Sequence, residues 1–529
     1  MSQLYIGGLL SGIVLSVAVQ MIVQSQLLSF RRSRPSKNQV PAKTMLRHLS
    51  VNDNFKAFME SGGNLKGYAS SAAGTDALFS QICAELTLST QSLSMIVAAM
   101  VKSFKAGLAE DGQGLPMIPS HVVNRPNGTE TGTVLALDLG GSNFRVCLVT
   151  MNGNGGTRMV QRKYVISHDL KNHTGLALFD FIAKCVAEFL DEQKDHLKLE
   201  GLKVKRESSD LSKSIKLGFT FSFPVKQTAL DQGDLMYWNK GFSATGVVGV
   251  DVVKLLQNAL DRNQINAHVT ALVNDTVGTL ISHAYTRPET HIGVIFGTGT
   301  NAAYVEKISE IGKWGGFNEG SDEMIVNTEW GAFNDADMPR SKYDILVDKN
   351  TSNHGIQIFE KMISGLYLGE IVRYILVDFV TDGELFDGKL SKKLATPYAF
   401  ETAFMSRIER DHSADLLDVK QLLSDLLDIN NTTSRDRMLI KHVCEIVGTR
   451  AARLSAAGIA AIVTKTNRLN GCIVAIDGSL FGQYPHFGSR MRDALREILG
   501  LNAENIILEQ AHDGSGLGAA LIAVTSSRD

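Results

Sequence analysis

Three stretches of this chain repeat one pattern, and that repeat limits the fold more than any other feature. Residues 133–149 read TVLALDLGGSNFRVCLV, 291–306 read HIGVIFGTGTNAAYVE and 471–485 read GCIVAIDGSLFGQYP. Each is an apolar strand that runs into a small polar or glycine-rich turn, and in the first two a second apolar strand follows. The copies lie about 160 to 180 residues apart. Segments with helical spacing separate them, at 251–260, 358–379 and 437–464. Strands alternating with helices predict an α/β fold, and the spaced glycine turns predict a duplicated one. Ahead of the first copy, Leu93, Ile96, Val97, Met100, Val101 and Phe104 recur at intervals of three and four. Residues 76–108 are therefore expected to be helical.

The 529 residues suffice for a large core and two to four domains. Lysine plus arginine is 53 against 55 aspartate plus glutamate, and no basic block sits in the body. That balance excludes a nucleic-acid coat. With 44% apolar and 20% charged residues, global disorder and a many-pass membrane protein are excluded too. Cys83, Cys147, Cys185, Cys444 and Cys472 form no CxxC pair and no Cys/His cluster. Neither zinc nor a disulfide framework is expected, only reduced, buried thiols in a cytosolic body. Residues 4–23, LYIGGLLSGIVLSVAVQMIV, carry no charge and span about 30 Å as a helix, the thickness of a bilayer core. Arg31, Arg32, Arg34, Lys37 and Lys43 follow this run, with Pro35 and Pro41 among them. A cleavable signal peptide would carry its charge before the apolar run. The positive-inside rule places the body in the cytosol, so residues 1–45 are expected to be a membrane anchor and basic linker.

The turns carry the chemistry. Glycine turns set backbone N–H groups around a concavity suited to phosphate oxygens. Asp138 ends the first strand, where a carboxylate would hold Mg²⁺ through water. Ser142, Asn143, Arg145, Thr298 and Thr300 add donors. One such turn alone is most simply a hairpin; two matched turns and a third GS turn favour a phosphate cradle. GFTFSFP at 218–224 leaves Ser222 and Pro224 at the end of a strand. WNKGF follows at 238–242, a polar–cationic pair framed by aromatics. It suits a polyol that also receives negative charge, or else a plain surface turn. In ALVNDTVGTL, 271–280, a strand ends at Val273 and a helix starts after Asp275. Asp275 reads either as an N-cap worth roughly 1 kcal/mol or as an active carboxylate at the carboxyl end of a strand.

Taken in order across residues 70 to 525, these stretches resemble the hexokinase family. They are LALDLGGSNFRVCLV, LGFTFSFPVKQTAL, WNKGF, ALVNDTVGTL, IGVIFGTGTNAAYVE, IVNTEWGAF, FEKMISGLYLGEIVR, GTRAARLSAAGIAAI, IDGSLFGQYPHF and HDGSGLGAALIAV. The chain looks like the fungal or plant type with one catalytic unit. The resemblance implies the actin/hexokinase-like, ribonuclease H-like duplicated fold, with two α/β domains closing over a cleft. It implies a helical part of the large domain at 46–125, a small domain at 126–273, a large domain at 274–510, and a C-terminal helix at 511–529 returning to the small domain.

The resemblance further implies ATP-dependent phosphorylation of a hexose at its 6-hydroxyl, the first step of glycolysis, on glucose and also fructose or mannose. Asp275 would be the general base, with Lys240 beside it. Ser222, Asn239, Lys240, Asn274, Asn301, Glu329 and Glu370 would bind the sugar. Asp138 would position Mg²⁺–ATP; Gly140, Gly141, Ser142, Asn143, Arg145, Gly297, Thr298 and Gly299 would hold phosphates, and Gly478 and Ser479 the adenosine side. Cleft closure around the sugar would exclude water as a competing acceptor. Asn239 stands where the family has threonine in WTKGF, and Ser142 where it has threonine in GGTN. The first change motivates an alternative, a catalytically impaired hexokinase-like sugar sensor. Tails like residues 4–23 on family members point to the cytosolic face of the mitochondrial outer membrane, with the endoplasmic reticulum as the other candidate.

Overall fold

The apolar runs on either side of the first two glycine turns, and the run before the third, become strands largely covered on both faces, which is why they read as continuous rather than alternating. The computed structural model describes residues 72–141, 143–205, 214–238, 240–316 and 320–526. The expected anchor at 4–23, the basic linker, Ser142 and Asn239 lie outside them, and of Asn143 only the backbone is described. In chain order the strands are β1 (Ile118–Pro119), β2 (Thr131–Leu139), β3 (Asn143–Asn152), β4 (Thr157–Val165), β5 (Ile215–Phe221), β6 (Val225–Ala229) and β7 (Gln232–Leu235). Then follow β8 (Ala267–Val273), β9 (Thr290–Phe296), β10 (Thr300–Lys307), β11 (Glu323–Asn327), β12 (Cys472–Asp477) and β13 (Ile506–Gln510).

Two main sheets result, ordered β4-β3-β2-β5-β8 and β1-β11-β10-β9-β12-β13. In the first, β2 pairs antiparallel with β3 and β3 with β4, while β5 runs parallel to both β2 and β8. In the second, β9, β10 and β11 repeat the antiparallel trio, and β12 runs parallel to β9 and β13. Strand for strand the two orders are identical apart from the short β1. The sequence repeat is therefore a repeat of topology, and the duplicated α/β fold holds.

The helices that matter for the site are α1 (Ala72–Leu86), α2 (Thr90–Ala109), α3 (Gly175–Glu192), α4 (Val252–Arg262), α5 (Asp275–Ala284), α6 (Ile358–Ile363), α7 (Leu368–Thr381), α8 (Ser434–Lys465) and α9 (Gly514–Thr525). The expected helical stretch 76–108 is broken by Ser89, whose side chain accepts from Ser92 N and starts α2 afresh. Leu93, Ile96, Val97, Met100 and Phe104 are buried along α2, whereas Val101 is half-buried. The stretch 358–379 is two helices rather than one. Ser364 and Gly365 interrupt it so that Gly365 N and Leu366 N can bond the carbonyls of Gly297 and Thr298, at 2.8 and 3.1 Å. Helix α8 opens on a capping box of Thr433 and Asp436. It is apolar and long enough to cross a membrane, but 89% of its most apolar window is buried inside the protein, the mark of a core helix.

One core lies on the five-stranded sheet under α3 and α4, around Phe179, Ile182, Phe219 and Leu256. A second joins the two sheets through α5 and α9, with Val134 and Ala271 on one side and Ala303 and Val305 on the other. These helices cross so closely that a Cβ on Gly518 would lie 2.1 Å from the Gly278 carbonyl oxygen. The crossing brings the start of α5 and the start of α9 to the space between the sheets. All five cysteines are buried and unpaired.

Candidate active site

Asp275 decides how the space between the sheets can be used. The structure starts α5 at Asp275 itself, one residue earlier than expected, and makes Asn274 the cap: its Oδ1 accepts from Thr276 N at 2.9 Å and from Thr276 Oγ1 at 2.6 Å. Asp275 is thus released from capping. Its half-buried carboxylate makes no hydrogen bond or ion pair among the described residues, and it sits in the first turn of the helix. A cavity beside it is lined by Ser222, Lys240, Asn274, Asn301 and Glu329, all expected there, and by Gln357 and Glu360.

The polar groups in this cavity are held by one another. Asn301 Nδ2 donates to Asn327 Oδ1 at 2.8 Å and to Glu329 Oε1 at 3.1 Å, and Asn327 Nδ2 donates to the same Glu329 oxygen at 2.9 Å. Desolvation in the cleft pushes the Glu329 carboxyl up to about 7; Asn327 and the Lys240 ammonium pull the other way. Burial likewise raises the Glu360 carboxyl, although Glu360 Oε2 accepts from Thr300 N at 3.0 Å. Lys240 Nζ donates to the Ser222 carbonyl at 2.6 Å and lies 5.6 Å from the centre of the Phe223 ring. Behind it Trp238 and Phe242 stack, with ring centres 5.2 Å apart. The wall of WNKGF is therefore an aromatic support for one cation.

Three non-glycine residues of the cavity, Lys240, Glu329 and Gln357, have left-handed φ of +54°, +52° and +58°. Such backbone costs of order 1 kcal/mol or more each and persists only where packing over-determines it. The clustering marks a site built at the expense of local relaxation.

Of the expected phosphate elements, Asp138 and Arg145 meet at the start of α9. Asp138 Oδ2 accepts from Arg145 Nε at 3.0 Å, from Arg145 Nη2 at 2.6 Å and from Ser515 Oγ at 2.8 Å. Arg145 Nη1 reaches Asp513, at the start of α9, at 2.8 Å. Arg145 is thus beside Asp138 as expected, but with its guanidinium engaged by two carboxylates and a serine. All three bonds to Asp138 fall on Oδ2, which suits a carboxylate whose other oxygen receives a hydrated cation. Gly140 and Gly141 form the turn between β2 and β3; a Cβ on Gly141 would meet the Lys240 side chain at 3.0 Å. A Cβ on Gly299 would lie 2.4 Å from Glu360 Oε2. Gly478 has φ +113°, and a Cβ there would lie 2.2 Å from the Phe296 carbonyl oxygen. The GTG and DGS turns therefore touch, and only glycine permits it. Gly297, Thr298 and Ser479 open onto a cavity of about 480 Å³, bordered by Tyr398, Phe400, Glu401 and Tyr484. These turns, the neighbouring carboxylate and the adjoining cavity fit a nucleotide with a divalent cation.

Glu370 does not belong to this group. It is 2% exposed, and its carboxylate is filled by Arg373 Nε and Nη2, both at 2.7 Å, and by Tyr398 N at 2.7 Å. It anchors the loop that borders the larger cavity. The carboxylate that reaches the cavity beside Asp275 is Glu360, ten residues earlier, joined there by Gln357. Glu360 lies in the quoted FEKMISG stretch, but its sequence signal is that of any amphipathic helix.

Two family models, each described as Hexokinase, match residues 78–285 and 291–525. Hexokinase-1 of Nicotiana tabacum is 42% identical over 447 residues, covering 82% of this chain and 88% of the relative. Hexokinase-1 of Schizosaccharomyces pombe is 39% identical over 449 residues, covering 84% and 90%. The solved structure of a Schistosoma mansoni hexokinase complexed with glucose is similar with a TM-score of 0.77 and 38% identity, over 85% of this chain and 99% of that one.

Proposed function

The chain belongs to the hexokinase family, enzymes that phosphorylate a sugar with ATP, and on that premise we propose that its sugar is a hexose, glucose foremost, phosphorylated at the 6-hydroxyl. One observation carries the assignment. Asp275 is freed from capping at a helix N-terminus, has no hydrogen-bond or ion-pair partner among the described residues, and lines one cavity with Lys240, Asn301, Glu329, Glu360 and Gly299 of the GTG turn.

In this reading Asp275 takes the proton as the O6–H bond breaks and the bond from O6 to the γ-phosphorus forms; the bond from that phosphorus to the bridging oxygen breaks and ADP leaves. Ser222, Asn274, Asn301, Glu329, Gln357 and Glu360 hold the other hydroxyls, each both donor and acceptor and costly to bury unpaired. Lys240, on its aromatic support, offsets the charge of the carboxylates and of the arriving phosphoryl group. Asp138 would hold Mg²⁺ through water; when bound, the ion neutralises phosphate charge. Arg145, Asp513 and Ser515 keep Asp138 in place. Thr298 and Gly299 lend backbone N–H groups to phosphate oxygens, Gly297 and Gly478 shape the turns through their own bonds to the Gly299 carbonyl and Asp477 Oδ1, and Ser479 borders the space for the nucleoside. The halves built on the two sheets close over the sugar and exclude water.

The uncharged run at 4–23 with arginines behind it supports tethering to a membrane, body in the cytosol, with the mitochondrial outer membrane favoured. Cell fractionation checks this: full-length protein found wholly in the soluble fraction would sink it. For the activity, the measurement is glucose-dependent ADP release by purified full-length protein. Release that needs glucose supports the kinase. Saturable glucose binding with no ADP release would replace it with the sugar-sensor reading.

A further inference from the structure

Gln357 lines the sugar-side cavity from the six-stranded half of the molecule, just before α6. The segment that carries it is pinned: Lys361 Nζ bonds Asp348 Oδ1 and the Asn353 carbonyl, both at 2.8 Å. Its Oε1 lies against Gly331, where an added Cβ would come within 2.3 Å of it. Its Nε2 points to the opposite half and donates to Tyr237 Oη at 3.2 Å. Tyr237 follows the β6–β7 hairpin, which packs through Val225 and Leu235 into the core of the five-stranded sheet. Met236 N bonds the Pro224 carbonyl at 2.9 Å and fixes the start of this segment beside the SFP strand end. One hydrogen bond thus joins two held segments, 120 residues apart, beside the cavity that Gln357 lines.

The bond has a definite polarity. Tyr237 is half-buried, and desolvation with the nearby Glu329 and Glu360 carboxylates raises its phenol, so it remains protonated. It accepts from Gln357 and keeps its own hydrogen to donate. Its neighbour in sequence is Trp238, stacked on the support of Lys240. A movement that opened the two halves would break the Tyr237–Gln357 bond and free the Gln357 amide.

We propose that Tyr237 is a positioning residue of the sugar site, orienting the Gln357 amide toward the hexose and tying the two halves together in the closed cleft. This rests on reading the cavity as the sugar site. Its weight falls on sugar binding and not on phosphoryl transfer, because Tyr237 touches neither Asp275 nor the glycine turns.

The test uses full-length protein and D-glucose. In Tyr237→Phe the KM for glucose should rise about three- to tenfold, the size of one lost neutral hydrogen bond. Turnover and the KM for ATP should stay within twofold. Titration of tryptophan fluorescence with glucose should shift by the same factor as KM. In a Gln357→Ala background, Tyr237→Phe should add less than twofold. An unchanged glucose KM and titration in Tyr237→Phe, an undiminished further loss in the Gln357→Ala background, or a fall in turnover at constant KM would each overturn the proposal. Wild-type ADP release is measured in the same series, so failure of the kinase reading shows in the wild type and failure of this inference only in the variants.

Discussion

Glu329→Gln should make the protein more stable at alkaline pH and poorer at holding sugar. The folded state holds the Glu329 carboxyl at about 7 because the cleft desolvates it beside Asp275 and Glu360, with Asn327 and Lys240 opposing. An ordinary glutamate in the unfolded chain sits near 4.5. Between these values the folded protein binds the proton more tightly than the unfolded chain does. Stability from this group is therefore fully present below about 4.5 and is lost as the pH rises through about 7. A gap of roughly 2.5 units corresponds to at most ~3 kcal/mol at 1.36 kcal/mol per unit. Relaxation of the cleft lowers that ceiling, so a gain of about 1 to 3 kcal/mol at pH 8 is expected for the neutral isostere.

Glutamine keeps the side-chain length and an oxygen for the Asn301 and Asn327 amides to bond. At pH 5 the two proteins should differ by less than about 1 kcal/mol, the worth of one rearranged neutral hydrogen bond. The measurement is thermal or denaturant unfolding of wild type and variant at pH 5, 6.5 and 8, read as the difference between them so that other titrating groups cancel. Sugar affinity should move the opposite way. Losing a charged partner for a hydroxyl costs about 1.5 to 3 kcal/mol, or roughly 10- to 150-fold in the KM for glucose. A stability difference that stays flat from pH 5 to pH 8 would refute the argument that desolvation governs this carboxylate.

Two further substitutions separate chemistry from scaffold. Asp275→Asn should lower turnover on the order of 10² to 10⁴ while leaving glucose binding within a few-fold and stability within about 1 kcal/mol, because Asn274 carries the cap and only a helix-terminal charge is removed; near-normal ADP release from this variant would remove Asp275 from the mechanism. Glu370→Gln strips one partner from a buried pair and strands Arg373, at a cost of about 3 to 5 kcal/mol, so the melting temperature should drop by several degrees while the KM for glucose stays put; a selective loss of glucose affinity at unchanged stability would restore Glu370 to the sugar site.

The duplicated fold was legible because its signal is local. A strand, a glycine turn and a second strand fit within seventeen residues, and each copy carries the full pattern. The assignment of Asp275 was legible only as a choice between cap and base, since Asn274 and Asp275 both cap helices well. Backbone geometry gives the cap to Asn274 and leaves the Asp275 carboxylate lining the cavity. The carboxylates of FEKMISGLYLGE show the opposite limit. Glu360 and Glu370 stand ten residues apart, each in an apolar helical context, and periodicity gives no reason to prefer either. What separates them is the break at Ser364 and Gly365, where the chain turns aside so that two of its N–H groups can bond the carbonyls of the GTG turn. That break re-aims α7 relative to α6, sends Glu370 to Arg373 and leaves Glu360 facing the cleft.

The same docking explains why the left-handed residues gather where they do. Glu329 and Gln357 each cap a helical turn at the cavity and Lys240 sits in a turn beside it, and each presents its side chain to the cavity from left-handed backbone. No propensity scale assigns such a conformation to lysine, glutamate or glutamine, because the surrounding fold and not the residue enforces it. The sequence rules fail at Lys240, Glu329 and Gln357 for the reason that makes them useful. Their side chains line the cavity beside Asp275, where packing of the surrounding elements holds them.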